Sequence, residues 1–581
     1  MLNNKKESCI IMGLGPLCIL CSEYIFKNSN IEITGLISAD ESVINWGKEN
    51  RIRTLFIKNK VKYSLSQLEI DEFVKEYKVD YFFSIINAMF LPEWIIKSPR
   101  KYAINFHDSE LPKYAGIDTN SWVIMLKEKN HAVTWHLMSK SIDEGDIIKQ
   151  VLIPIDKDET AFTLNKKGFE AGLSSFIELV EDLSLDRVVL RKQLIDNRSY
   201  FSRSKPYLHE MSIWNHGIIF WKNSAEDIYA LVRALDYGPD RNALGTSKMV
   251  IDNCYYIIPR IEICDTKSNF EPGTVLYIDE KSIIISTSTN DVLLNDILDI
   301  DGATVSIEEL IDRHNIKVNS KLDEVSSITI SRIKELDKDI MWKEGYWAEK
   351  ISHYQPLQIP CMKKNNIKTK TSENLIKKIY MSEKMQKDLI NICKDYKFDL
   401  CSFLFSCFSS FLALISEQKS FHIWYSDNKI HEDLYEIGNL FSNFVLYDIF
   451  YDKNNNFMNF YKSIEEQRIN LKNKKYFLWD IFYRYPQLIN NKLTSSEMRQ
   501  FSYVFKMEEN EINADISLSI NSFDLSLIVN YFDNKVSLEI KYFDNLYENI
   551  TSFCQEFSLY MENILLSIEK NIKDMEITCI I

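Results

Sequence analysis

The sequence predicts an α/β protein: a mostly parallel sheet covered by helices on both faces, then a small β-barrel, then a C-terminal α+β region. Three observations predict it. Strand-like and helix-like runs alternate over the first 200 residues, which is the pattern of a covered parallel sheet. Between about 205 and 325, short β-runs are broken by Asp, Asn and Gly, as in small barrels. From 373 onward long helices mix with strands rich in Phe and Tyr. At 581 residues the chain is too long for one core and should divide into several domains.

Taken in order, Cys9–Met12 is a short apolar strand, Gly13–Pro16 a turn and Leu17–Lys27 an amphipathic helix. Ile31–Ile37, Tyr81–Ile86 and Tyr102–Phe106 read as buried strands, with helices at Glu41–Asn50 and Leu68–Tyr77. Helix Asn120–Glu128, strand Ala132–Met138, strand Ile147–Ile155 and a long helix Ala161–Leu183 complete the first part, 1–204. The second, 205–325, has one helix, Ala225–Leu235, then β-runs at Met249–Ile258, Gly273–Asp279, Ile283–Thr287 and Val292–Ile300. A charged, partly helical connector spans 326–372 and leads into 373–581.

Composition excludes several classes. Hydrophobic residues at 45% and charged residues at 26% leave no room for wholesale disorder. The net charge of −14 makes general binding of nucleic acid unfavourable, since that affinity rests on cations displacing counterions. Eleven cysteines without regular spacing do not make a disulfide framework, and Cys18-Ile-Leu-Cys21 lies in an apolar stretch as a packing motif. No metal site is expected. Residues 1–21 imitate a signal peptide, but Gly13-Leu-Gly-Pro16 breaks the apolar run. No segment reaches the ~18 apolar residues of a membrane span. We therefore expect a cytoplasmic protein that does not engage membranes.

The Gly13/Gly15 pair lacks the third glycine of a dinucleotide fingerprint, and Asp40 comes too late for one, so a tight turn feeding a helix is the preferred reading. The informative segment is Ala103-Ile-Asn105-Phe-His107-Asp-Ser109-Glu-Leu-Pro112-Lys-Tyr-Ala-Gly116. An apolar strand delivers a polar cluster to its carboxyl end, where open α/β sheets bind ligands. By alternation, Asn105 and His107 share a face. An amide donor beside an imidazole suits a tetrahedral reaction, one group holding an oxyanion and the other moving a proton. Either residue alone would read as an ordinary strand-end side chain. A second strand, His131–Met138, is followed by Ser141-Ile-Asp143-Glu-Gly145-Asp146, whose Asp143 can return to orient or charge-stabilise His107. Spacing alone leaves a solvated acidic turn equally open.

Together, Asn105-x-His107, Leu111-Pro-Lys-Tyr-x-Gly116 and Ile142-Asp-x-Gly145 resemble the signature of the folate-dependent formyltransferases. The wider matches Ile11–Cys21, His107–Gly116 and Val133–Met138 look closest to formyltransferase modules of nonribosomal peptide synthetases. The resemblance implies a Rossmann-like catalytic domain and an OB-like barrel, the latter on Ser224–Leu235 and Pro272–Leu276. It implies 10-formyltetrahydrofolate as the formyl donor and an amine as acceptor. It makes Asn105 the oxyanion holder, His107 the proton-transfer residue and Asp143 its support. Ser109 would steady the loop, Met89, Phe90 and Leu91 would line the pterin side, and Ser139 and Ile142 the other wall. Pro16 stands where the family is expected to have Ser, and a proline can open a helix.

Between 205 and 330, 11 Lys and Arg face 20 Asp and Glu, a balance of −9 that disfavours a tRNA substrate. Residues 373–570 resemble the second half of a synthetase condensation domain, through Leu400–Leu414, Ile437–Val445 and Phe477–Pro486. The HHxxxDG motif of that family is absent, so this part is expected to dock an adenylation or carrier protein rather than to form amides. The expected function is N-formylation of an amino-acid amine, free or carrier-bound. An amino-sugar nucleotide formyltransferase and a non-catalytic scaffold recruiting synthetase partners are the alternatives.

Overall fold

A computed structural model describes residues 6–58, 63–87, 89–203, 211–360, 374–434, 437–452, 456–490, 498, 500–507, 523–543, 547 and 549–570. It divides into two compact units: Met1–Ile218 with Asn223–Ser247, and Ile219–Lys222 with Lys248–Ile581.

The first unit is built on a seven-stranded sheet. Its order is Thr54–Phe56, Ile31–Ser38, Glu7–Gly13, Tyr81–Ile85, Tyr102–His107, Asn130–Leu137, Ile147–Pro154. The first five strands are parallel. The last two are joined antiparallel, so the sheet is mostly parallel, as expected. Thr54–Phe56 escapes sequence reading because three residues are too few to show a period. Pro16 lies in the first turn of helix Gly15–Asn28, where a missing N–H costs nothing. Helix Ala161–Ser184 opens with a capping box on Thr160 and lies against the sheet, with Trp135 donating to Ser175 Oγ at 2.9 Å. Cys18 and Cys21 are buried free thiols. Burial pushes Cys18 up to about 12 and raises Cys21 well above the ordinary thiol value, which fits packing and not redox chemistry.

In the turn after the first strand, Leu14 donates to the Ile85 carbonyl at 3.1 Å. The Gly15 N–H donates to Asp40 Oδ2 at 3.0 Å. Burial raises the Asp40 carboxyl, but hydrogen bonds from Ser42, Gly15 and Val43 outweigh it and hold it below the usual carboxylate range. A dinucleotide phosphate would need that N–H, and here a carboxylate already occupies it.

In the second unit, the expected run Met249–Ile258 is a hairpin. Strands Lys248–Ile251 and Cys254–Ile257 are joined by Asp252 and Asn253, both at positive φ, as a two-residue hairpin requires. Leu298–Asp299 completes this three-stranded sheet, and Glu262–Ile263, Val292–Leu294, Ile283–Ile285 and Val275–Ile278 form a four-stranded antiparallel one. The segment 326–360 is more ordered than its charge suggests, with helices Ser327–Ile340 and Glu344–Ser352. Lys363–Lys370 of the connector lie outside the described residues.

A six-stranded mixed sheet follows, in the order Asn374–Ile379, Lys535–Phe543, Leu525–Phe532, Phe501–Lys506, Ser420–Asp427, Val445–Phe450. Helix Leu400–Ser416 is buried along most of its length. Among the described residues no single helix is long and apolar enough to cross a membrane. Asn439, in the stretch that carried part of the condensation resemblance, accepts from the Tyr255 N–H at 2.7 Å and so binds the hairpin to this region. A buried charge cluster ties the same parts together. Lys248 Nζ meets Asp480 at 2.9 Å, and Arg484 reaches Glu344 at 2.5 Å and Asp480 at 3.4 Å.

Candidate active site

Asn105 and His107 stand two residues apart at the carboxyl end of Tyr102–His107. The neighbouring antiparallel strand sets Asn105 opposite His136 and His107 opposite Thr134. Directly opposed residues project to the same face, so the register adds His136 to the site. Sequence analysis placed His136 on an alternating strand but gave it no role, because pairing register is not visible in one strand's pattern.

His136 Nδ1 lies 2.9 Å from the Leu137 carbonyl and therefore carries the proton, leaving Nε2 to accept from Asn105 Nδ2 at 3.2 Å. Complete burial pushes His136 down to about 4, with nearby Asp143 opposing the shift. The ring is neutral at pH 7, and its lone pair fixes which end of the Asn105 amide is the donor.

His107 Nε2 is 3.0 Å from the Tyr114 carbonyl and donates to it. In the neutral ring the basic nitrogen is then Nδ1, which faces Asp143 Oδ1 at 3.7 Å. His136 Nε2 is also 3.7 Å from that oxygen. The other Asp143 oxygen accepts from the Gly116 N–H at 3.1 Å.

The loops converge because their backbones are held. Asp143 sits at φ 55°, and Gln193 donates to the carbonyls of Asp143 and Gly145 at 2.8 and 2.7 Å. Gly116, at φ 109°, runs so close to Phe201 that a Cβ would stand 2.0 Å from its carbonyl oxygen. A Cβ on Gly145 would stand 1.8 Å from the Leu137 carbonyl oxygen. Gly145→Ala is therefore expected to displace Asp143 and lower turnover by roughly 10²-fold. Steady-state kinetics on the folded variant checks this.

The other expected residues fall in three places. Ser109 is fully buried, donates to the Lys113 carbonyl at 3.1 Å and steadies the Pro112 loop. Met89 is buried in a cluster with Ile10, Met12 and Phe82, against which Leu91 and Met138 pack. Phe90 is exposed beside them. Ser139 donates to the Ser141 carbonyl at 2.7 Å, and Ile142 is exposed, its carbonyl held by Arg198 at 3.2 Å. The fold thus brings Asn105, His107, Asp143 and His136 into one cluster, with Met89, Phe90 and Leu91 on a separate apolar wall. Among the described residues, no group of three or more His, Cys, Asp or Glu is placed to hold a metal ion.

His136 gives a pH prediction. The unfolded chain binds a proton at the ordinary histidine value of about 6.5, whereas the folded chain waits until about 4. The stabilisation is complete above 6.5 and declines as pH falls towards 4, by up to about 1.4 kcal/mol per unit. Urea unfolding at pH 7 and pH 5 should show this slope, and His136→Gln should flatten it.

Comparison with known proteins identifies the parts of the chain. Residues 27–180 match the formyl transferase family, 214–315 its C-terminal domain and 331–579 the condensation domain. The condensation match thus begins inside the segment read as connector. A methionyl-tRNA formyltransferase of Clostridium beijerinckii is 27% identical over 318 residues, covering 53% of this chain and 98% of the relative. One from Caldanaerobacter subterraneus subsp. tengcongensis is 30% identical over 226 residues, covering 39% and 68%. A solved N-formyltransferase from Helicobacter canadensis, in complex with folinic acid and dTDP-3-aminofucose, aligns at 21% identity and a TM-score of 0.39. It covers 50% of this chain and 98% of its own. With a relative 30% identical over two thirds of its length and both formyl transferase matches in chain order, the chain belongs to the formyl transferase family and carries a condensation-type region behind it.

Proposed function

We propose that the chain is an N-formyltransferase that moves a formyl group from 10-formyltetrahydrofolate to the primary amine of an amino acid, free or carrier-bound, in nonribosomal-peptide-type metabolism. One observation carries the chemistry. Asp143 Oδ1 and the His107 Nδ1 lone pair, both acceptors, face each other at 3.7 Å. That gap suits the N–H of an attacking amine.

The donor set fits a folate formyl donor, with an amide N–H for the carbonyl oxygen and the separate apolar wall of Met89, Phe90 and Leu91 for its ring system. Such a donor supplies an electrophilic formyl carbon. Asn105 stabilises the negative charge that develops on oxygen, using its His136-fixed amide. His107 Nδ1 takes the amine proton and returns it to the leaving nitrogen, and Asp143 stabilises the imidazolium. Gly116 and Gln193 hold Asp143 in place.

The local balance of −9 between 205 and 330, in an OB-like barrel, supports a small or carrier-borne amine over a tRNA. The condensation-type region supports a partner from a peptide synthetase, an adenylation or carrier protein, docked on residues 373–581. On this reading the chain is cytoplasmic, with parts 1–204, 205–325, 326–372 and 373–581. The test is tetrahydrofolate release from 10-formyltetrahydrofolate with four acceptors: amino acids, aminoacyl carrier proteins, amino-sugar nucleotides and methionyl-tRNA. Turnover is expected with the first or second. Turnover confined to the sugar or the tRNA would reassign the acceptor, and none with any of them would favour the scaffold reading.

A further inference from the structure

The C-terminal sheet contains a cavity of about 370 Å³ that formyl transfer does not use. Strands Ser420–Asp427, Phe501–Lys506 and Leu525–Phe532 run parallel to one another, and the cavity opens where they end, lined by Asp427, Phe505, Met507 and Tyr531. The start of helix Leu400–Ser416 closes one side. The carboxyl ends of parallel strands are where open α/β sheets hold ligands.

Its interior is aromatic and its charges are unevenly matched. Tyr425, Tyr447, Tyr476 and Phe505 are buried side chains that line it. Two of its cations are already engaged: Arg468 by Glu465 and Asp399 at 2.8 and 3.4 Å, and Lys475 by Asp339 at 3.0 Å. Asp427 and Asp433 also line it, and among the described residues neither meets a cation. Asp427 instead accepts from the Tyr425 hydroxyl at 2.9 Å and from the Ile430 N–H at 3.1 Å. Lys429, the remaining lining cation, is exposed.

Tyr476 is only 1% exposed, and its hydroxyl has no hydrogen-bond partner among the described residues.

We infer that this cavity binds an organic amine as its ammonium, with an apolar body against the tyrosines and the cationic head at Asp427 and Asp433. Aromatic faces and unneutralised carboxylates together favour a cation over an anion of the same shape. The volume suits a body the size of one aromatic side chain with its linker. This site is separate from formyl transfer and does not rest on the proposed acceptor.

The test is calorimetric titration of the full chain with 2-phenylethylamine and its near-isosteres 2-phenylethanol and 3-phenylpropionate. The amine is expected to bind, and the alcohol and acid at least about tenfold more weakly. Asp427→Asn keeps the size and helix-capping ability of the side chain. It should weaken the amine by about tenfold and leave formyl transfer unchanged, and Asp433→Asn should act in the same direction. Four outcomes would overturn the inference: no heat with the amine, equal or tighter binding of the acid, amine binding unchanged in both variants, or amine binding lost in Asp143→Asn but kept in Asp427→Asn. The last would place the amine at the formyl site.

Discussion

His107→Ala is expected to lower kcat/KM for formyl transfer by about 10²–10⁴-fold, the range of a positioned general acid–base. The atom-level reason is that His107 offers Nδ1 towards Asp143 while Nε2 is committed to the Tyr114 carbonyl. His107→Gln keeps an N–H donor for that carbonyl but supplies no base, so it should fall nearly as far. If glutamine restored most of the activity, the imidazole would be a loop anchor and not a proton carrier. Asp143→Asn can still accept the Gly116 N–H, yet it removes the charge that supports an imidazolium. The expected loss is in kcat, with KM for the amine little changed. Tetrahydrofolate release read at several amine concentrations separates the two parameters. A loss confined to KM would make Asp143 an amine-binding group instead.

The largest expected stability effect is remote from the chemistry. Arg484→Met should destabilise the second unit by about 3–5 kcal/mol, because one partner of a buried ionic cluster is removed and two buried carboxylates lose its guanidinium. Arg484 is 1% exposed and pairs with Glu344 and Asp480, while Lys248 holds Asp480 from the other side. Burial pushes the Lys248 ammonium down, with Asp480 opposing the shift, so the cluster is sensitive to any lost partner. Urea unfolding followed by far-UV circular dichroism reads the change. A shift below 1 kcal/mol would mean that water or neighbouring groups replace the guanidinium.

Much of this was legible in the residues. Alternating strands and helices predict the parallel sheet, and the alternation of side chains in a strand puts Asn105 and His107 on one face at its end. Asp143 was legible only as a candidate. Its approach to His107 depends on a left-handed residue, on Gln193 gripping the loop from 50 residues further on, and on the space left by Gly145. Met249–Ile258 read as one strand because Asp252 and Asn253, which turn the hairpin, interrupt an apolar run too briefly to break its pattern.

The amino-acid order by itself determined the fold class, the candidate residues at the strand end and the acidic balance that bears on the choice of acceptor, since these rest on local periodicity, residue type and a count of charges. Three features came only from the folded chain. His136 joined the site through antiparallel register, Lys248 and Asp480 met across 232 positions, and the tyrosine-lined cavity formed where strands distant in sequence end side by side. Each is a contact between residues far apart in the chain, and local pattern carries no information about which distant partner a side chain will meet.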